Sequence, residues 1–151
     1  MRTPTGSTLL RKCRWQAKVG TSGHAQSGIG WTALGARVAQ SQGADLYSLG
    51  DNLLLNAAEY AAATNLNQTV PYNPEWFRCE AVLVGGPWTN ISTNSFGIRS
   101  ALPVWDLPYY EFVERRGLEG KWTSRARLCD GYFEGHVTGN DHPSWGGLIW
   151  A

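Results

Sequence analysis

The chain has 151 residues, the size of one ordinary domain, and 42% of them are apolar, which is enough to build a core. Its formal net charge of +1 gives no overall electrostatic reason to expect binding to nucleic acid or to an anionic membrane. No apolar run reaches the length of a membrane span, and Leu9–Leu10 is too short for the apolar region of a secretory signal. The cysteines, Cys13, Cys79 and Cys129, lack the spacing of metal ligands, so we expect no bound metal.

The first 22 residues differ from the rest of the chain in their charge. No Asp or Glu precedes Asp45, whereas the basic residues before it are Arg2, Arg11, Lys12, Arg14, Lys18 and Arg37. Such a start is found both in short disordered tails and in organelle transit peptides, and of the two we favour the tail. We therefore predict a basic, disordered segment over residues 1–22, followed by a folded domain over residues 23–151.

The spacing of apolar residues predicts a first helix over residues 24–42. They fall on two neighbouring faces, one with Trp31, Leu34 and Val38 and the other with Ile29, Ala33 and Ala36. Gly43 is a typical residue to end a helix, because glycine readily adopts positive φ.

A second helix is predicted over residues 51–64, with Asp51 as its N-cap. It is apolar around most of its circumference, and its polar positions form one narrow stripe of Asn52, Asn56 and Glu59. We expect such a helix to pack on more than one side and Glu59 to face solvent. The two helices and their short connection predict an αα-hairpin.

The remainder of the chain predicts a long loop and two further helices. Residues 65–102 are interrupted by Pro and Gly and predict a surface loop, with a short element near Glu75–Leu83. A helix is predicted over 104–116, capped by Asp106 and ended by Gly117, and a shorter one over 123–130, capped by Thr123. The aromatic C-terminal residues are expected to dock on the domain. Because no stretch alternates at period two, the predicted class is all-α with long loops.

One face of the first helix combines residue types that suit a binding site. Positions 24, 28, 31, 35 and 38 share this face, and they read His24, Gly28, Trp31, Gly35 and Val38. Two glycines on one helical face either admit a close neighbouring helix or leave room for a ligand. We therefore take this face as the candidate site.

Several blocks of the sequence, in order, resemble the alginate lyase domain family. The blocks that resemble the C-terminal half of that family's domain are Gly23–Gln26, Gly28–Gly30, Gln42–Tyr47, Asp51–Leu54, Glu59–Tyr60, Asn65–Leu66 and Val70–Tyr72. Trp105–Val113 and Arg115–Leu118 look like the next helix of that family, and Asn140–Gly146 looks like the C-terminal segment of its secreted fungal members. The similarity covers roughly residues 22–150.

The resemblance implies a fold, an activity and a location. The fold would be part of an (α/α) toroid of helical hairpins. The activity would be β-elimination on an acidic, uronic-acid-containing polysaccharide, with no cofactor, by a secreted protein. Asn67 and Asn90 each begin an N-glycosylation sequon, which fits secretion.

The chain departs from the family pattern just before the candidate site. The Arg and Asp of the family's preceding block fall on Gly20 and Thr21, and the family's upstream half has no counterpart. This predicts a truncated domain. An alternative interpretation is therefore an inactive homologue that at most binds carbohydrate.

Uronate elimination requires a base for the C5 proton, an acid for the departing sugar oxygen, and a group that neutralises the carboxylate. The resemblance implies His24 as the catalytic residue, as base or neutraliser. It implies substrate contacts from Gln26, Trp31, His142 and Trp145. The tyrosines that could serve as acid or base are Tyr47, Tyr60, Tyr72, Tyr109 and Tyr110. From the residues alone, Trp31 is better explained as a core residue than as a sugar platform, and His142 as a turn residue before Pro143 than as a second catalytic group.

Overall fold

The computed structural model describes residues 23–73, 104–129, 142–143 and 146–151. Over these residues the secondary structure is helical, with no strand, which agrees with the predicted all-α class. The helices are α1 (Gly23–Ser41), α2 (Leu49–Asn65), α3 (Asp106–Pro108), which continues into a π-helix (Tyr109–Arg115), α4 (Lys121–Cys129) and α5 (Gly146–Ile149). None of the described helices is both long and apolar enough to cross a lipid bilayer. The predictions for residues 1–22, Glu75–Leu83, Asn90 and Trp145 lie outside the described residues.

Helix α1 buries only one of its two predicted apolar faces. Ile29, Ala33 and Ala36 are buried, whereas Trp31 is 51% exposed and Val38 is 60% exposed. The prediction that Trp31 belongs to the core is therefore wrong. Ala36 packs in a cluster with Tyr47, Leu55 and Phe112, and small side chains at this position let the neighbouring elements approach α1 closely.

Gly43 ends α1 as predicted, with a φ of 87°. Helix α2, which follows, begins with a left-handed turn. Gly50, Asp51 and Asn52 then have φ values of 59°, 55° and 60° before the right-handed part of α2 starts. The predicted N-cap, Asp51, lies inside this turn instead of capping the helix. Left-handed backbone costs free energy at non-glycine residues, although Asp and Asn tolerate it best.

The predicted helix over 104–116 is present as α3 and the π-helix, and Gly117, with a φ of 65°, follows it. Within the π-helix, Arg115 forms an i,i+4 ion pair with Glu111, and its Nη1 lies 3.1 Å from Glu111 Oε2. Asp106 is not a cap as predicted. Its carboxylate is fully buried and forms an ion pair with Arg127 of α4, which joins the two elements.

Helix α4 starts two residues before its predicted beginning, because a residue of α2 caps it. Glu59 accepts hydrogen bonds from the amides of Trp122 (2.9 Å to Oε2) and Thr123 (2.7 Å to Oε1). A carboxylate at this position satisfies two of the amides that a helix start leaves without a partner. Thr123 is buried and is not the N-cap, and Glu59 does not lie on a solvent-facing stripe. The C-terminal residues dock as expected, since Arg115 donates to the carbonyl of Trp150 (3.0 Å).

Candidate functional site

The structure describes the side chains of three of the five predicted site residues. His24 lies in the first turn of α1, and its side chain is outside the described part of the structure, as is all of Trp145. Gln26 is only 1% exposed and faces the interior. Trp31 and His142 come together at the surface of α1. A polymer in solvent could therefore reach Trp31 directly, but could not reach Gln26 without an opening of the structure.

The contact between Trp31 and His142 forms the centre of the candidate site. Their ring centroids lie 4.9 Å apart with an interplanar angle of 42°. The Nε2 atom of His142 also lies 3.1 Å from the hydroxyl of Ser27, in a hydrogen bond whose direction depends on the imidazole tautomer. His142 is 5% exposed, so the imidazole is fixed from two sides while the Trp31 ring remains open to solvent.

Gly30 allows the imidazole to lie this close to α1. A Cβ at position 30 would be 2.6 Å from His142 Cε1 and 2.8 Å from Val104 Cγ1, which is closer than real side chains approach. The adjoining cavity, bordered also by Ala33 and Pro143, has a volume of about 10 Å³. This is the space of one water molecule at most. A sugar would therefore have to bind on the solvent side of Trp31.

The face of α1 that was selected from the sequence points to solvent. Gly28, Trp31, Gly35 and Val38 are exposed, and a Cβ at Gly28 or Gly35 would meet no atom within 4 Å. Among the described residues, no helix packs closely against these two glycines, which favours the second expected role, room for a ligand. The space beside Trp31 is open.

Two residues of this site were not predicted, Ser27 and Gly30. Ser27 precedes Trp31 by four residues and therefore lies on the same side of α1, whereas Gly30 lies on the adjacent, buried side. The spacing of the serine, the glycine and the tryptophan can be read in the sequence. Their contact with His142 cannot, because His142 lies 115 residues beyond Ser27.

The tyrosines considered as acid or base differ in accessibility. Tyr47 is fully buried and donates to the carbonyl of Ala33 (2.8 Å), and burial raises its pKa far above the usual value. It therefore serves the core. Burial also raises the pKa of Tyr60, whose hydroxyl donates to the carbonyl of Pro71. The hydrogen bond to Glu114 raises the pKa of Tyr109. Raised pKa values suit the protonated form, which can act as an acid but not as a base.

A second group of charged side chains joins α1, the loop after it and the π-helix. Glu111 is 2% exposed, and its carboxylate accepts hydrogen bonds from Gln40 (2.9 Å), Arg115 (3.1 Å) and Arg116 (2.9 Å). Arg116 also binds both carboxylate oxygens of Asp45, at 2.7 and 3.1 Å. Burial raises the pKa of Glu111, but the hydrogen bonds from Arg116, Gln40 and Arg115 outweigh it and hold that pKa below the usual value. The hydrogen bonds from Arg116 and Ser48 hold the pKa of Asp45 well below its usual range. Because both carboxylates are fully engaged, this group stabilises the fold.

No family model, curated protein or solved structure matches the chain. The described residues contain no group of three or more His, Cys, Asp or Glu side chains that could hold a metal ion. The site is defined by its geometry, in which an exposed tryptophan ring packs against a buried imidazole that is hydrogen-bonded to a serine hydroxyl. Aromatic rings in this setting are suited to stack on the apolar faces of sugars or other flat groups.

Proposed function

We propose that this chain is a lyase domain of the alginate lyase type, which cleaves a uronic-acid-containing polysaccharide by β-elimination. In this proposal the helices belong to an (α/α) toroid of helical hairpins, and the secreted protein meets its acidic substrate outside the cell. The proposal needs no cofactor.

The observation that carries this proposal is a contact between two distant parts of the family resemblance. One block contains Gly23–Gln26 and Gly28–Gly30, and another contains Asn140–Gly146. Gly30 of the first group lies directly against His142 of the second. Ser27 and Trp31, which adjoin the first group's blocks in the sequence, contact the same imidazole. Blocks that belong to one functional site are expected to come together in this way, although they are far apart in the chain.

The proposed elimination needs a base and an acid. A base removes the C5 proton of the uronate, the electron pair forms the C4–C5 double bond, and the bond from C4 to the glycosidic oxygen breaks. An acid protonates that oxygen. His24, one turn before Ser27 on the same side of α1, is the proposed base, and Trp31 is the proposed stacking platform. His142, buried and hydrogen-bonded to Ser27, supports the platform from beneath.

A second candidate function is carbohydrate binding without turnover. The specific observation in its favour is that Gly20 and Thr21 occupy the positions of the family's Arg and Asp, so the cation that would neutralise the substrate carboxylate is missing there. Without that neutralisation the developing negative charge raises the barrier to elimination. Stacking on Trp31 does not need it.

The experiment is to incubate the protein with alginate and other polyuronates and to follow the ultraviolet absorbance of the unsaturated product. His24→Ala is expected to lower the rate by at least about 100-fold, the usual contribution of a general base. Trp31→Ala should weaken substrate binding, and Val38→Ala, at another exposed apolar position of α1, is the matched control.

The outcomes separate the two functions. Product formation that depends on His24 supports the lyase. A rate for the unsubstituted protein no higher than that of His24→Ala rejects it. Binding of uronate oligomers that is lost in Trp31→Ala and kept in His24→Ala, with no product, supports the binding function instead.

A further inference from the structure

The cations of the described residues fall into two groups. Their Lys and Arg side chains are Arg37, Arg115, Arg116, Lys121, Arg125 and Arg127. Four of the six lie within 4.0 Å of a carboxylate of Glu111, Asp45 or Asp106. Lys121 and Arg125 are the exceptions, since neither forms an ion pair with another described residue. Both are exposed.

These two cations are held around one aromatic ring. The Lys121 Nζ atom lies 4.4 Å from the centroid of the half-buried Trp122 ring, and the Arg125 Cζ atom lies 5.2 Å from it. A cation at such a distance is attracted to the ring, which limits the range of positions that a long side chain explores. Trp122 in turn packs against the buried cluster that includes Ala62 and Trp105. The two charges are therefore held near a ring that is anchored in the core.

No described carboxylate forms an ion pair with Lys121 or Arg125, although Glu119 lies two residues before Lys121 in the chain. Lys121 and Arg125 are four residues apart on α4, where like charges repel each other, and Lys121–Cys129 contains no acidic residue. The nearby carboxylate of Glu59 is directed to the amides of Trp122 and Thr123 and forms no ion pair with either cation. An anion bound between the cations would relieve their repulsion.

We propose that Lys121, Trp122 and Arg125 form a second binding surface, on α4, for a chain of an acidic polysaccharide. Sugar carboxylates would pair with the two cations, and the apolar part of a sugar would contact the accessible part of the Trp122 ring. Nucleic acid fits less well, because the whole chain has a net charge of only +1 and the surface offers two cations and not an extended basic patch. The inference rests on the proposed function only for the choice of a uronate polymer.

The test is the affinity of the full chain for oligouronates, measured by isothermal titration calorimetry in the Trp31→Ala background, so that α4 is examined apart from the candidate active site. The double variant Lys121→Ala/Arg125→Ala is expected to bind about tenfold more weakly, the loss for two exposed charge contacts. The exchange Lys121→Arg/Arg125→Lys should keep the affinity. Rising salt should weaken binding in both the parent and the exchange variant.

Two controls decide whether the effect is local and specific. Arg2→Ala/Arg11→Ala removes the same amount of charge elsewhere in the chain and should leave the affinity unchanged. Equal losses in the two double variants, no loss in the α4 variant, or no binding by the parent would overturn the inference. So would duplex DNA that binds as tightly as the oligouronate. Because binding is measured without turnover, failure of the lyase assay does not affect this test.

Discussion

Replacing Gly30 by alanine tests the contact between α1 and His142 on which the site depends. The added methyl group would lie 2.6 and 2.7 Å from two atoms of the imidazole and 2.8 Å from Val104 Cγ1. The imidazole cannot turn away freely, because it is buried and hydrogen-bonded to Ser27. We therefore expect Gly30→Ala to displace His142 and to weaken its contact with Trp31.

The expected energy follows from two opposing effects. Alanine in place of glycine inside a helix contributes about 1 kcal/mol of stability. Overpacking of a buried contact costs about 1–3 kcal/mol. Gly28→Ala and Gly35→Ala gain the first effect without the second, because a Cβ at either position meets no atom within 4 Å. Gly30→Ala should therefore be about 1–3 kcal/mol less stable than either control variant.

Thermal and urea unfolding of the three variants measure this difference. For a chain of this size, 1 kcal/mol corresponds to about 2–4 °C in Tm, so a gap of about 6 °C is expected between Gly30→Ala and the controls. In a His142→Ala background the penalty at position 30 should shrink, because the imidazole no longer obstructs the methyl group. A Gly30→Ala protein as stable as Gly35→Ala would refute the close approach of His142 to α1.

Three further predictions concern the charged side chains that stabilise the fold. Glu111→Ala should lower the free energy of unfolding by about 2 kcal/mol, because Gln40, Arg115 and Arg116 lose their shared acceptor. Arg37→Ala, at a half-exposed position 4.0 Å from Glu111, should cost less than about 1 kcal/mol, and calorimetric melting of both variants checks this. Stability should fall as the pH drops below about 5. The folded-state pKa values of Asp45 and Glu111 are lowered, so the unfolded chain takes up protons first. Urea titrations across this range should show a shallower decline in stability for Asp45→Asn, and an equal decline would contradict the role of Asp45 in this pH dependence. Glu59→Ala should destabilise the fold by about 1–2 kcal/mol, because α4 loses its cap. Glu59→Gln keeps one acceptor oxygen and should recover part of this stability. Equal melting temperatures for the two variants would show that the cap contributes little.

The helices were predictable where the determinants are local. The first helix was predicted over residues 24–42 and is observed over Gly23–Ser41, because its apolar spacing and the glycine at position 43 are both readable in the sequence. Gly117 ends the π-helix for the same reason. The presence of these helices and most of their bounds therefore follow from periodicity and from glycines at positive φ, whereas the π-helical form of Tyr109–Arg115 does not.

The capping interactions were not predictable, because they depend on long-range contacts. Asp106 and Thr123 have typical N-cap side chains, yet the structure uses the first for an ion pair with Arg127 and buries the second. Glu59 caps α4 across a separation of 63 residues to Trp122. A local rule cannot select a cap that a neighbouring helix provides. The left-handed turn at Gly50–Asn52 was not predicted either, because only Gly50 is a residue type that adopts positive φ without strain.

The candidate site shows most clearly how packing overrides a sequence pattern. Trp31 and Val38 are larger and more apolar than Ala33 and Ala36, so hydrophobicity alone favours burying the face with the tryptophan. The structure buries the alanines, because their small side chains let Tyr47, Leu55 and Phe112 close on α1. The tryptophan ring is thereby left at the surface, where His142 supports it. The residue that looked most like core is for this reason the one best placed to contact a ligand, and what decides between the two roles lies in a segment 115 residues beyond Ser27.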